Sequence, residues 1–165
     1  MIYRAVLCIL LFFSSLKLFA QEVFYSTDTI RDIRIIFAQS NWDEILDSLY
    51  VVGDKERMQA TLFIDGVQYD SVGVRYKGYS SASVDRVKNP FNIKLNYLIE
   101  GQDHQGIDKI KLSNVIQDPS FLREVLSYEI TRKYMPASES NFANVYVNDT
   151  LLGLYSNVEA VNKEF

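Results

Sequence analysis

Residues 72–95, VGVRYKGYSSASVDRVKNPFNIKL, contain a strand, a polar loop and a second strand, and the rest of the sequence is organised around them. The loop contains Gly78, Ser80, Ser81 and Ser83. The flanking cations are Arg75 and Lys77 before the loop and Arg86, Lys88 and Lys94 after it. A flexible Gly/Ser loop beside several cations suits an anion, and a phosphate group is the natural candidate. The alternative is a basic hairpin whose charges face the solvent.

The first 20 residues have the pattern of a secretory signal peptide. Arg4 precedes the apolar run VLCILLFF, and Ala20 is a small residue at the expected cleavage site. The apolar run is shorter than the roughly 20 residues needed to span a bilayer. Cys8 lies inside it, so the rest of the chain has no disulfide and must be held together by its core. The sequence therefore predicts a secreted, periplasmic or cell-envelope protein without a transmembrane helix in the mature chain.

Charge and composition argue against two classes of function for residues 21–165. This part has 15 basic and 21 acidic residues, a net charge of −6, and therefore lacks the basic footprint of a nucleic-acid binder. Asp103, His104 and Asp108 lie in one loop, but a zinc site made mostly of carboxylates is uncommon. We therefore expect a solvated loop and no metal site there, which disfavours a metal-dependent hydrolase.

Apolar and polar residues alternate in several short segments, and this pattern predicts strands. The predicted strands cover residues 33–37, 60–64, 67–76, 91–95, 109–112, 142–147 and 151–158. Asp65-Gly66 and Asn148-Asp149 predict tight hairpin turns between neighbouring strands.

Two helices are predicted from capping residues and apolar spacing. The first follows Ser40 as N-cap and places Trp42, Ile45, Leu46 and Leu49 on one face. The second opens at Asp118-Pro119 and has its apolar face at Leu122, Val125, Leu126 and Ile130. The predicted fold class is therefore α+β, with a mainly antiparallel sheet and two principal helices.

Five segments in this order resemble the CotH (spore coat protein H) family of kinase-like proteins. They are VGVRYKGYSS at 72–81, NPFNIKLN at 89–96, GIDKIKLSN at 106–114, DPSFLREVLSYEI at 118–130 and FANVYVNDTLLGLYSNVEAVNKEF at 142–165. The resemblance implies an atypical protein kinase that uses ATP and Mg²⁺ to phosphorylate Ser or Thr of a coat or envelope protein. It also implies a fold like the nucleotide-binding half of a kinase.

The resemblance implies roles for several residues by analogy with kinases. Lys94 would bind the nucleotide phosphates and pair with Glu124 of the second helix, with Lys77 as the alternative lysine. Residues 78–81 would form the phosphate loop, and Glu159 would lie where a kinase hinge meets adenine. The implied nucleotide-binding residues are Lys94, Glu124, Gly78, Ser80, Ser81, Lys77 and Glu159.

The family's catalytic and metal-binding aspartates come after the matching segments. The resemblance therefore implies that residues 21–165 are the N-terminal portion of a CotH kinase-like domain, with no catalytic residue and no metal ligand of its own. We expect such a fragment to be inactive alone, and whether the chain is an enzyme stays open. The alternative is a non-catalytic module that binds surface or coat proteins.

Overall fold

Seven strands close into one barrel in the computed structural model, which describes residues 23–161. The elements are β1 (Arg31–Ile36), α1 (Trp42–Val52), β2 (Met58–Ile64), β3 (Val67–Tyr76), β4 (Phe91–Lys94), β5 (Lys109–Ser113), α2 (Arg123–Thr131), β6 (Ser140–Val147) and β7 (Thr150–Glu159). The predicted signal peptide, residues 1–20, lies outside the described residues. Neither helix of the described part has the length and apolar character needed to cross a bilayer.

The strands are arranged around the barrel in the order β1-β2-β3-β4-β5-β7-β6. Neighbouring strands are antiparallel, except that β6 runs parallel to β1 and closes the barrel. In that closing pair, Ile33 lies opposite Val145. Among residues 23–161, closure pairs both edges of every barrel strand, and so leaves no open edge of the kind that invites aggregation.

The predicted α+β fold is wrong, and so is the expected likeness to the nucleotide-binding half of a kinase-like fold. All seven predicted strands are confirmed, but they form a closed barrel of mixed strand direction with two short helices. The reason is the parallel pairing of β1 with β6, which joins distant parts of the chain. Local alternation predicts a strand but carries no signal for a partner so far away in sequence.

The barrel interior explains the alternating pattern. Its side chains are almost fully buried and include Ile33, Ile35, Leu62, Ile64, Val72, Val74, Phe91, Ile93, Ile110, Leu112, Val145 and Tyr155. Both predicted hairpin turns are confirmed, since Asp65-Gly66 joins β2 to β3 and Asn148-Asp149 joins β6 to β7. All four turn residues have positive φ, which matches the twist of a tight hairpin.

Helix α1 covers one part of this core. Trp42 and Leu46 are buried, and the Trp42 ring stacks on Phe37 with 5.6 Å between ring centroids. This confirms the predicted apolar face of the helix. The cap residue is Asn41 rather than Ser40, and its side chain makes no capping hydrogen bond.

Helix α2 differs from the prediction in both its start and its burial. It begins at Arg123, because Asp118 instead closes a turn by accepting hydrogen bonds from the backbone N–H groups of Ser120 and Arg123. Val125 is buried. The other three residues of the predicted apolar face, Leu122, Leu126 and Ile130, are 47–53% exposed.

Candidate phosphate-binding site

Strands β3, β4, β5 and β7 present a polar outer surface, called here the outer face. On β3, Val72, Val74 and Tyr76 point into the core, so Gly73 and Arg75 lie on the outer face. Lys77 follows directly after the strand and continues this alternation. By the same alternation, the outer-face residues of the other strands are Asn92 and Lys94 on β4, Lys109, Lys111 and Ser113 on β5, and Ser156 and Val158 on β7. The face is therefore rich in cations in a protein that is acidic overall.

Pairing between strands sorts these side chains into rows across the face. One row contains Arg75, Asn92, Lys111 and Val158. A second row contains Gly73, Lys94 and Lys109. The third contains Lys77, whose backbone N–H bonds to the carbonyl of Pro90, together with Ser113 and Ser156.

Lys77, Ser113, Glu124 and Ser156 form a connected cluster in the third row. The Lys77 ammonium donates to Ser113 Oγ at 2.8 Å, and the Ser113 hydroxyl donates to Glu124 Oε1 at 3.4 Å. The other carboxylate oxygen of Glu124 accepts a short hydrogen bond from the Ser156 hydroxyl. Glu124 is on the first turn of α2, so these bonds anchor the helix to the outer face.

The electrostatics of Lys77 show that this cluster is partly desolvated. Burial is the main cause that lowers the pKa of Lys77, and the nearby charge of Lys111 lowers it further. The carboxylate of Glu124 acts in the opposite direction and supports the charged amine. Lys77 is therefore a partly buried cation whose link to a carboxylate runs through the hydroxyl of Ser113.

The Gly/Ser loop after β3 is held in place at both ends. Tyr50 of α1 donates its hydroxyl to the carbonyls of Gly78 and Tyr79, at 3.0 and 3.2 Å. The Asn114 side-chain amide donates to the carbonyls of Ser81 and Lys88, both at 2.9 Å. Gly78 has a φ of +85°, which explains glycine at the point where the chain leaves the strand.

A second asparagine organises the rest of that loop. The Asn89 side chain accepts from the backbone N–H of Ser83 and donates to its carbonyl, both at 2.9 Å. The carbonyl of Asn89 in turn accepts from the buried Tyr155 hydroxyl at 3.1 Å. The loop is therefore an ordered structure built on buried amides. Ser80 lies at its exposed tip, and Ser81 is half-buried.

The structure places Lys94 and Glu159 away from the cluster. Lys94 lies on the outer face opposite Gly73 and Lys109, in a different row from Lys77. Within residues 23–161 there is no ion pair between Lys94 and Glu124. Glu159 ends β7, where its carboxylate accepts from the backbone N–H of Glu139 at 2.9 Å. Of the two lysines implied by the resemblance, Lys77 is the one that the fold connects to Glu124.

Three members of this arrangement were missed from sequence: Lys111, Ser113 and Ser156. The segment KIKLS at 109–113 signals that Lys111 and Ser113 share a face, since they alternate with apolar residues. The sequence does not show that this face adjoins Lys77, because that depends on the register of β3, β4 and β5. Ser156 had no signal beyond its place in a strand.

The described residues do not fit the Mg²⁺ that the resemblance implies. Residues 23–161 bring together no group of three or more His, Cys, Asp or Glu side chains able to hold a metal. Both oxygens of Glu124 are already engaged by serine hydroxyls. The loop with His104 is also less solvated than predicted, because the His104 ring is buried, contacts Phe24 and shares a 2.7 Å hydrogen bond with Tyr69.

Comparison with known proteins identifies a family. No curated protein matches the sequence. The family model described as CotH kinase protein matches residues 74–165, more than half of the chain. The matched region includes the Gly/Ser loop, β5, α2 and every member of the Lys77 cluster. The chain therefore belongs to the CotH kinase protein family.

Proposed function

We propose that this chain binds the phosphates of ATP at Lys77 and Lys111, as part of a CotH-type protein kinase that modifies Ser or Thr of an exported protein. The observation that carries the proposal is the link from Lys77 through Ser113 to Glu124. It lies within the segment that matches the family model. Bound ATP would supply the phosphoryl group that such an enzyme transfers.

The residues of the cluster have separate tasks in this proposal. The ammonium groups of Lys77 and Lys111 offset phosphate charge, and partial burial strengthens that interaction because water screens it less. Glu124 keeps the Lys77 side chain extended across β4 toward Ser113. We propose that the Gly/Ser loop, which Tyr50 and Asn114 fix through its carbonyls, supplies backbone N–H groups to the same phosphates.

The transfer step needs more than these residues. Phosphoryl transfer requires metal-binding acids and a group that orients the attacking hydroxyl. Since residues 23–161 bring no such acids together, we propose that residues 21–165 act as the N-terminal portion of a CotH domain. We also propose export through a cleaved signal peptide at residues 1–20, which N-terminal sequencing of the exported protein would test.

Titration calorimetry with ATP tests the proposed phosphate site. Lys77→Met should weaken ATP binding at least tenfold, because it removes a charge-assisted contact to phosphate. Lys94→Met is the matched control, since it removes one cation from the same face but a different row. Equal losses in the two variants would indicate only general electrostatic attraction. An unchanged affinity for Lys77→Met, with the fold intact, would refute the role of Lys77.

A non-catalytic binding module is the second candidate, and one observation favours it. Leu122, Leu126 and Ile130 expose about half of their surface on one side of α2, which is a patch suited to protein contact. Absence of ATP binding by the wild-type protein, together with loss of a defined envelope-protein complex on Leu126→Ser, would support the module. ATP binding that depends on Lys77 would argue against it.

A further inference from the structure

Arg57 reaches over the outer face and is fixed there by backbone and side-chain acceptors. Its Nη1 donates to the carbonyls of Gly73 and Asn92, at 3.0 and 2.8 Å. Its Nη2 donates to Asn92 Oδ1 at 2.7 Å. Three hydrogen bonds therefore hold one guanidinium group in one orientation on the β3–β4 surface.

Gly73 makes this arrangement possible. A Cβ atom at position 73 would lie 2.8 Å from Arg57 Cδ and 2.5 Å from Tyr97 Cγ, both closer than real contacts allow. Glycine at this position therefore leaves room for the side chains of Arg57 and Tyr97 directly above the sheet. This room lets the Arg57 guanidinium approach the backbone carbonyls.

A second arginine, Arg75, lies on the same outer face of β3. Arg75 is directly opposite Asn92, the residue that binds Arg57. Its Nε is buried and has no hydrogen-bond partner in the described part of the chain. Burial first, and then the charge of Arg75, lower the pKa of Arg57 to about 10.

The positive charges of Arg57 and Arg75 are not balanced by an ion pair in the described part of the chain. Among residues 23–161 neither Arg57 nor Arg75 has a carboxylate within ion-pair distance, whereas Arg31 and Arg123 each pair with an aspartate. Lys94 and Lys111 occupy neighbouring outer-face positions and add further positive charge. Adjacent, partly desolvated cations are costly unless an anion compensates them.

We propose that Arg57 and Arg75 form an oxyanion site that binds a phosphate group. Guanidinium groups suit this ligand because their planar N–H forks match the oxygens of phosphate. The site is a separate position from Lys77, since Arg75 and Lys77 are two residues apart, roughly 7 Å along an extended chain. It adjoins the proposed ATP site, because Lys111 lies in the same row as Arg75, and its test measures phosphate binding and does not need kinase activity.

The phosphate has two sources that share this chemistry. It is either a single phosphate group or one member of a longer polyphosphate chain that also reaches Lys77. Inorganic phosphate and tripolyphosphate are the probes that separate them. Binding of each to the purified protein at low salt can be followed by calorimetry and by the NMR signals of the arginine Nε–H groups.

Arg75→Gln is the main test, because Arg75 makes no hydrogen bond that the described fold depends on. It should weaken phosphate binding about tenfold, as expected for loss of one charge-assisted contact. Arg57→Lys keeps the charge but loses the fork, and it should also weaken binding. Arg34→Gln is the matched control, since Arg34 lies over the Tyr146 ring on the opposite strands β1 and β6.

The outcomes distinguish the two sources and can overturn the site. Weaker binding of both probes by Arg75→Gln supports a single-phosphate site. Weaker binding of tripolyphosphate alone, shared with Lys77→Met, supports one chain that spans both positions. If folded Arg75→Gln and Arg57→Lys bind both probes like Arg34→Gln, the site does not exist. The ATP proposal is tested separately by Lys77→Met.

Discussion

Replacing Asp47 with asparagine should stabilise this protein at neutral pH. Asp47 is on α1, one turn after Asp43, and the two carboxylates repel each other. Burial is the largest cause that raises the pKa of Asp47 from 3.8 to about 6, followed by the charges of Asp43 and Asp85. Asp47 Oδ1 is also buried without a hydrogen-bond partner in the described residues. The folded state therefore carries a carboxylate that would be more stable in the unfolded chain.

The sign of the pH dependence follows from the raised pKa. Below pH 3.8 Asp47 is protonated in both states and costs nothing. Between pH 3.8 and about 6 the unfolded chain ionises Asp47 while the folded protein still holds the proton, so stability falls across this range and stays lower above it. The difference between pKa values of 3.8 and about 6 sets an upper limit of about 3 kcal/mol. Because Asp47 is partly exposed and screened by solvent, we expect a loss of about 1 kcal/mol.

Thermal unfolding by circular dichroism between pH 4 and pH 8 measures this effect. Asp47→Asn should unfold about 3 °C above the wild type at pH 7.5, and the two proteins should converge near pH 4. Glu44→Gln is the matched control, since Glu44 is an exposed acid on the same helix. A gain for Asp47→Asn that is equal at both pH values, or no gain at all, would refute the reasoning.

Two further predictions concern the Lys77 cluster and the loop above it. Glu124→Gln should lower the pKa of Lys77 further, because the supporting carboxylate charge is lost. The pKa of Lys88 is lowered by burial alone, so it should stay unchanged in the same NMR titration. If the pKa values of Lys77 and Lys88 respond equally to Glu124→Gln, the carboxylate of Glu124 does not support the charge of Lys77. Tyr155→Phe should cost about 1–3 kcal/mol in urea unfolding, because it removes the buried hydrogen bond to the Asn89 carbonyl. A loss below about 0.5 kcal/mol would show that this bond does not secure the loop.

Local sequence patterns predicted the strands well. Phe91, Ile93 and Leu95 alternate with polar residues, and all three are completely buried. The Asp65-Gly66 turn was also predictable, because its positive φ angles favour those residue types. These features depend on neighbours in sequence, so the sequence alone contains the necessary information.

Features that depend on distant pairing could not be predicted. The parallel contact between β1 and β6 decides between an open sheet and a closed barrel, and it has no local signal. The register of β3 against β5 likewise decides whether Lys77 or Lys94 reaches Glu124. From sequence, both lysines lie beside the same loop. Only the fold shows that Ser113 bridges Lys77 to the carboxylate.

The apolar spacing of α2 led to a wrong prediction of which residues are buried, for a different physical reason. Leu122, Leu126 and Ile130 have the spacing of a buried helical face, yet the described residues leave them half exposed. The helix rests on the barrel mainly through Val125 and the two hydrogen bonds of Glu124. Helical periodicity identifies an apolar face but does not identify what covers it.

A double-mutant cycle on ATP affinity tests the central claim most directly. The cycle compares wild type, Lys77→Met, Glu124→Gln and the double variant by calorimetry, and a second cycle replaces Lys77→Met with Lys94→Met. If Lys77 and Glu124 act as one unit, their coupling energy should be at least about 1 kcal/mol, and that of Lys94 with Glu124 should be below about 0.5 kcal/mol. The reverse order, or additivity in both cycles, would contradict the assignment of Lys77 as the phosphate-binding lysine.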